Sequence, residues 1–304
     1  GVVQMSEKEI LTDLNIIVVL PGMKKDLSIL IVHYNTPGLL RQTLKGIFTS
    51  KINLSFEVIV VDNNPKVRVR DWVQKEFPFV KVVMSDKNIG FGCGMNLAMQ
   101  HANARYYLVF NPDIAVFDGV FDAMVAYMDA HPDIGMLGPK LLNPDRTLQY
   151  SCYRFMGPSI ILYRRVPILR SLGFAKRTDS EYQMKDWDHN QIQDVDYLLG
   201  AAMLVRKEVV DQIGGFDPGY FIYFEDQDWC RRFWIAGWRV VYNPDVQFVH
   251  YHRRETAEGS FLQQVRNPLT RLQMKSAIYY YQKYKGAKNP RETFHAHSIS
   301  NSSK

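Results

Sequence analysis

The chain should fold as an α/β domain with a mostly parallel central sheet flanked by helices, carrying a basic helical extension at its C-terminus. Three observations lead there. Apolar runs of strand length alternate with helix-like stretches through the first half, polar residues end four successive runs, and basic charge collects near the C-terminus.

The elements follow in order. DLSILIVHYN reads as a strand, PGLLRQTLKGIFTS as a helix and FEVIVVDNN as a strand. VRDWVQKEF is a short helix, VKVVMS a strand, GMNLAMQHA a helix and YYLVF a strand. Strands separated by helices imply right-handed crossovers. In such sheets ligands gather at the strands' carboxyl ends. Those ends carry His33-Tyr34-Asn35, Asp62-Asn63-Asn64, Ser85 to Asn88, and Asn111-Pro112-Asp113. Helix capping is the competing explanation for these polar residues.

Past residue 150 the pattern changes. Residues 151–186 mix aromatic, basic and proline residues without a period, as a long loop or lid would. VDYLLGAAMLVRKEVVDQIGGFD reads as two strands, a short helix and a turn. A helix follows from near Glu225, then strands near 239–242 and 247–251. The polar end, residues 291–304, is expected to be disordered, and residues 1–22 read as an extension before Met23-Lys24-Lys25.

At 304 residues and 46% hydrophobic content the chain can bury a large core. Its three cysteines, Cys93, Cys152 and Cys230, lack C-x-x-C spacing, which argues against a zinc ribbon or a disulfide framework and suits a reducing compartment. No apolar run approaches the roughly 20 residues of a membrane span. The net charge of +6 sits in the tail: residues 250–304 hold 10 Lys/Arg against 3 Asp/Glu, while the remainder holds 27 against 28. That suits an anionic membrane surface or a phosphate-bearing partner, with nucleic acid or a plain solvated face as competing readings. The stretch PLTRLQMKSAIYYYQKYK is either an interfacial helix or core with a basic outer face, and Arg164, Arg165 and Arg170 mark a second candidate surface.

Three clusters could carry chemistry. NIGFGCGMN fails the dinucleotide fingerprint because Met95 stands where the last glycine belongs, so its glycines are expected to let backbone approach a nucleotide. Glu225-Asp226 follows the aromatic run Tyr220 to Phe224, where desolvation would raise a carboxylate's pKa and suit a general base. Asp228 and Arg232 are at i,i+4 spacing and have a structural explanation. His250 and His252 share a strand face; without a third ligand nearby, an octahedral Mg²⁺ or Mn²⁺ shared by Asp113, one histidine and a diphosphate fits better than zinc. Of the three Asn-Pro-Asp turns, at 111–113, 143–145 and 243–245, only the first lies where a diphosphate would; the third is expected to turn the chain between two strands.

In order and spacing, ILIVHYN, VIVVDNN, KNIGFGCGMNLAM, LVFNPDIAV, YFIYFEDQDWCRRFWIAGWRVVYNPD and VQFVHYH resemble the family 2 glycosyltransferases of GT-A fold, most closely the branch using dTDP-L-rhamnose. The likeness runs from about Asp26 to about Gly286. It implies a catalytic domain over 23–260, its nucleotide-binding half at about 26–115 and its acceptor half at about 116–260, with a basic extension at 261–290. It also implies that Asp62, His33, Tyr34, Asn35, Asn88, Gly90, Asn96, Asn111 and Asp113 serve the donor. Asp113 matches the last acid of the family's D-x-D motif, but Asn111 replaces the first, which weakens the metal site; His250 would complete it. Asp226 matches the catalytic base with Glu225 orienting it, and Gly200, Ala201, Tyr223 and Trp229 would meet the acceptor. The implied reaction is inverting transfer to a saccharide, expected on a polyprenyl diphosphate, by a cytoplasmic enzyme peripheral to the inner face of a bacterial membrane. Donors such as UDP-galactofuranose, UDP-GlcNAc or UDP-galactose remain open, as does a non-catalytic nucleotide- or nucleic-acid-binding protein using Tyr279 to Tyr281 for stacking.

Overall fold

The computed structural model describes residues 24–166, 169, 171–251 and 267–302. The segments 1–22 and 261–266, together with Arg170 and His252, lie outside them, as does the side chain of Arg165. A strand covered on both faces reads as an unbroken apolar run, and β1 (Lys25–His33) is buried from Leu27 to its end. Its neighbours are built the same way. The order continues α1 (Pro37–Thr49), β2 (Phe56–Asp62), α2 (Arg70–Glu76), β3 (Val80–Met84), α3 (Phe91–Gln100), β4 (Ala104–Phe110), β5 (Ile114–Ala115) and α4 (Val120–Ala130). Then come β6 (Ile134–Leu142), β7 (Leu148–Gln149), β8 (Cys152–Tyr153), α5 (Ser159–Arg165), α6 (Gly173–Tyr182), β9 (Gln193–Asp194), β10 (Tyr197–Leu198), β11 (Ala202–Arg206) and α7 (Lys207–Ile213). The described chain closes with α8 (Glu225–Ile235), β12 (Arg239–His250), α9 (Pro268–Lys283) and α10 (Pro290–Ser302).

The main sheet runs β3-β2-β1-β4-β11-β6-β12-β5. β3, β2, β1 and β4 pair in parallel, β11 runs against both β4 and β6, and β12 is parallel to β6. Of the long strands, then, only β11 is reversed, and its beginning lies at the edge where the others end. Alternating side chains of β1 feed two cores. Leu27, Ile29 and Ile31 join α1 and α4 on one face; Leu30 and Val32 join α3, α7 and α8 on the other. Burying each such side chain contributes roughly 1.5–3 kcal/mol.

Four expectations need correction. Residues 151–186 are not one loop: they form β8, α5 and α6. The turn at 243–245 is a register irregularity inside the continuous β12, between Asn243 and Gln247, so it bends a strand rather than joining two. The polar end is helical as α10, because Phe294 packs on Trp234 with ring centroids 5.4 Å apart and His295 pairs with Asp194 at 3.2 Å. The glycines at 92 and 94 lie inside α3, where a β-carbon would approach Phe216 Cβ to 3.0 Å and Val32 Cγ2 to 2.9 Å. They serve helix packing, not approach to a nucleotide.

Helix α9 docks rather than standing apart as an extension. Thr270, Ser276, Ala277 and Tyr280 are buried, while Met274 and Ile278 stay exposed. Among the described residues no helix is long and apolar enough to cross a membrane.

Candidate active site

The carboxyl ends of β1, β2, β4 and β12 and the start of β11 meet at one edge of the sheet. A cavity of about 220 Å³ opens there, lined by Tyr34, Thr36, Asn63, Asn88, Gly90, Phe91, Asn111, Asp113, Phe221 and Ile222 among others. Its floor is a polar network. Asn63 Nδ2 donates to Asn88 Oδ1 at 2.9 Å and to Gly90 O at 3.1 Å, and its own Oδ1 accepts Ile89 N–H at 3.0 Å. Of the predicted donor residues, Tyr34, Asn88, Gly90, Asn111 and Asp113 line this cavity.

The others do not. His33 and Asp62 are fully buried: Asp62 Oδ2 accepts Val69 N–H at 2.9 Å, and His33 Nε2 accepts Thr36 N–H at 3.2 Å. In this arrangement the pair shapes the strand ends and fixes the loop at 64–69 instead of facing a base. Asn35 accepts Asn64 Nδ2 at 2.6 Å. Asn96 is held away from the cavity because its amide clasps the backbone of Phe216, donating to the carbonyl at 2.7 Å and accepting the N–H at 2.8 Å.

Beyond the cavity, His250 Nε2 lies 3.3 Å from Asp113 Oδ1 and 3.4 Å from Asn111 Nδ2. His250 Nδ1 is 2.7 Å from Gln149 Oε1. With Nδ1–H donating to Gln149, the lone pair of Nε2 faces a carboxylate oxygen, and the two repel unless a cation or proton lies between them. Asp113 Oδ1 is buried and lacks a hydrogen-bond donor among the described residues. Both features fit a divalent cation whose histidine ligand is oriented by Gln149. No group of three His, Cys, Asp or Glu residues is assembled among the described residues, so most of its coordination would come from water and the oxygens of a bound ligand.

The second carboxylate centre is the first turn of α8, where the macrodipole favours negative charge. It is reached through Tyr223 and Phe224, both at φ 69°. Two consecutive non-glycine residues in that region cost about 1–3 kcal/mol each and persist only under strong outside support. The turn aims Asp226 back at the sheet edge: Oδ2 accepts Gly200 N–H at 3.0 Å and Oδ1 accepts Gln227 N–H at 2.8 Å. A β-carbon on Gly200 would sit 3.3 Å from Asp226 Cβ and 3.5 Å from the ring of Phe91, a wall of the cavity. The base candidate and the cavity are therefore neighbours.

Burial raises both carboxyl pKa values, and the charge of Asp226 raises that of Glu225 further. Backbone N–H groups partly offset the effect at Asp226, whereas Glu225 Oε2 is buried without a donor among the described residues. Asp226 is the member of the pair that ionises more readily.

Two of the residues expected to meet the acceptor do not face a cleft. Trp229 is fully buried, its indole N–H donating to Gly214 O at 3.1 Å and its ring packed on Phe216 and Phe233. Ala201 is 1% exposed and its carbonyl accepts Asn111 N–H at 2.9 Å, which ties β11 to β4. Gly200 remains beside Asp226, and the half-buried Tyr223 stands in the turn that leads into α8. Sequence reasoning missed Phe91 and Gln149, and nothing in the sequence marked Gln149. Phe221 belongs to the aromatic run singled out before Glu225, and it lines the cavity.

A family profile described as "Glycosyltransferase like family 2" matches residues 24–271. The chain belongs to the family 2 glycosyltransferases. It is 27% identical over 224 residues, 69% of this chain and 72% of the other, to an N-acetylglucosaminyl-diphospho-decaprenol L-rhamnosyltransferase of Mycobacterium tuberculosis. It is 22% identical over 234 residues, 75% of this chain and 70% of the other, to the dTDP-rhamnosyl transferase RfbF of Shigella flexneri. In structure it is similar to the mannosyltransferase PcManGT of Pyrobaculum calidifontis in complex with GDP-Man and Mn²⁺, at TM-score 0.52, 15% identity and coverage of 93% of this chain and 82% of that one. It also resembles GalNAc-T7 with UDP, GalNAc and Mn²⁺, at TM-score 0.56 and 15% identity; 81% of this chain matches, spanning 48% of that protein. The glycosyltransferase has the GT-A fold, and its sheet edge is the place where such folds bind ligands.

Proposed function

We propose that this glycosyltransferase moves L-rhamnose from dTDP-L-rhamnose to a hydroxyl of a lipid-diphosphate-linked saccharide, with inversion, during assembly of a bacterial surface polysaccharide. The carrying observation is the placement of Asp226: a half-buried carboxylate oriented by Gly200 N–H, beside a cavity that also touches Asp113. Relatives named as rhamnosyltransferases support the choice of sugar. The M. tuberculosis relative's name, which contains a diphospho-decaprenol, supports the acceptor class.

In this reading the donor lies in the cavity, its nucleoside between Tyr34 and the Asn63–Asn88 network and its diphosphate toward Asp113. Asp226 takes the acceptor hydroxyl proton as that oxygen bonds to the anomeric carbon from the face opposite the diphosphate. The bond from the anomeric carbon to the diphosphate oxygen breaks, and its electron pair leaves with the nucleoside diphosphate. Protonated Glu225 keeps a second negative charge out of the pocket. A Mg²⁺ or Mn²⁺ held by Asp113 and His250, with Asn111 alongside, would neutralise the diphosphate's charge.

We place the nucleotide-binding half at about 26–115 and the acceptor half at about 116–260, with the enzyme working peripherally on the inner face of the cytoplasmic membrane. Nucleic-acid stacking by the tyrosine run loses support: Tyr280 is buried, Tyr281 OH donates to Met156 O at 3.1 Å and Tyr279 OH to Asp217 at 3.1 Å. Turnover across a panel of dTDP- and UDP-sugars tests the reading. Preference for dTDP-L-rhamnose is expected; preference for a UDP-sugar such as UDP-galactofuranose would overturn the donor.

A further inference from the structure

We propose that α9 is part of the catalytic unit, and that Lys283 and the adjoining Tyr284 are positioning residues that fix Asp226 relative to the donor cavity. This rests on the reading of Asp226 as the base. The segment 221–224 spans the two centres: Phe221 and Ile222 line the cavity, and Tyr223 and Phe224 lead straight into Glu225-Asp226. Backbone held at φ 69° twice in succession needs outside support, and α9 supplies it at three levels. Ser276 Oγ donates to Ile222 O at 2.8 Å. The ring of Phe224 packs against Tyr280 at 5.5 Å and Tyr281 at 6.0 Å between centroids.

The third level is ionic. Asp228, wholly buried two residues after the base, accepts Lys283 Nζ at 2.6 Å and Tyr284 OH at 2.9 Å, besides Arg232 Nε at 2.9 Å from its own helix and Tyr220 OH at 3.3 Å. Lys283 also reaches Asp217 at 2.6 Å. One lysine thus ties α9 both to the helix that carries the base and to the loop before the aromatic run. On the far side Phe221 O accepts Phe91 N–H at 3.1 Å, so the segment is held between α3 and α9. A slip of α9 would carry Asp226 away from the anomeric carbon while leaving the nucleotide-binding strands where they are.

A merely structural α9 would affect stability or all kinetic parameters together; a positioning α9 affects kcat first. Lys283→Met, Lys283→Arg and Tyr284→Phe in the full chain are compared for turnover of dTDP-L-rhamnose and for binding of dTDP with Mg²⁺ by calorimetry, with Asp226→Asn as control. Lys283→Met should lower kcat roughly 10- to 100-fold, the scale of a misplacement near 1 Å, with dTDP affinity held within about twofold and most of the rate restored in Lys283→Arg. Unchanged kcat in Lys283→Met, or equal loss of kcat and dTDP affinity, overturns the proposal. Should Lys283→Met fail to fold because it strands a buried Asp228, Tyr284→Phe decides by the same split, since it removes one hydroxyl from Asp228 and touches no residue of the cavity wall. Full activity in Asp226→Asn would refute the base itself, a separate result.

Discussion

Asp226 and Gly200 meet at 3.0 Å, a carboxylate oxygen from the first turn of α8 accepting the backbone N–H that leads into β11, which runs against both its neighbours. With Gln227 N–H on the other oxygen at 2.8 Å, both oxygens of the half-buried carboxylate are oriented by backbone, next to Gly200, whose β-carbon position lies 3.5 Å from the ring of Phe91. Asp226→Asn keeps the shape and can keep the bond from Gly200 while giving up the one from Gln227, so the fold should survive. Transfer should fall by about 10²- to 10⁴-fold, the usual contribution of a general base, while nucleotide binding is unchanged. Steady-state kinetics beside dTDP calorimetry checks both.

The raised pKa values give a pH dependence with a definite sign. Activity needs ionised Asp226, so the acid limb of kcat/KM should lie above the ordinary aspartate value near 3.9. Stability runs the other way. Between the ordinary glutamate pKa and its raised folded value, the folded state keeps a proton on Glu225 that the unfolded chain has lost, so stability falls as pH rises through that window. Glu225→Gln should flatten this fall. Urea unfolding of both proteins at about pH 5 and about pH 8 measures it; an equal loss in the two would show that Glu225 is ionised in the fold.

At the proposed metal centre the ligands and their support should differ in degree. Asp113→Asn and His250→Ala should remove most of the Mn²⁺-dependent gain in dTDP affinity. Gln149→Leu leaves both ligands but frees the imidazole to turn, and should weaken metal affinity by about 10- to 100-fold. Titration of dTDP at fixed Mn²⁺, repeated with a chelator, separates the three. A Gln149→Leu protein with native affinity would mean that the hydrogen bond at 2.7 Å does not orient the ligand.

What could be read in advance follows physical range. Alternation of strand and helix periods is local, so the parallel strands and the convergence of Tyr34, Asn88 and Asp113 at one edge were legible. The desolvation of Glu225-Asp226 was legible too, because an aromatic run leads straight into the pair, and burial does raise both pKa values. Trp229, assigned to the acceptor by resemblance, is instead core, because a family likeness does not say which face of a helix is buried. Asn96 was misread because its partner, Phe216, is 120 residues away. The helix at α10 was illegible for a related reason: its sequence is polar, and its order comes from docking Phe294 on Trp234. The bulge at 243–245 shows that Asn-Pro marks an interruption of backbone pairing without saying whether the chain turns or continues.

The contact between Gly90 and Phe221 offers the most direct check on the cavity wall. Gly90 has φ 84° and ψ 175°, a conformation open essentially to glycine alone. A β-carbon there would also lie 2.9 Å from the carbonyl carbon of Phe221 and closer still to its oxygen. Gly119 provides the comparison, with φ 72° and ψ 0° but nothing within 4 Å of its β-carbon position. Gly119→Ala should therefore cost only the left-handed strain of about 1–2 kcal/mol and leave nucleotide affinity alone. Gly90→Ala should cost more, because residues 221–222 must also move, and should weaken dTDP binding since those residues line the cavity. Thermal unfolding and dTDP titration of the two variants test this. Equal destabilisation with native affinity in both would mean that the 221–222 wall yields freely and does not define the donor site.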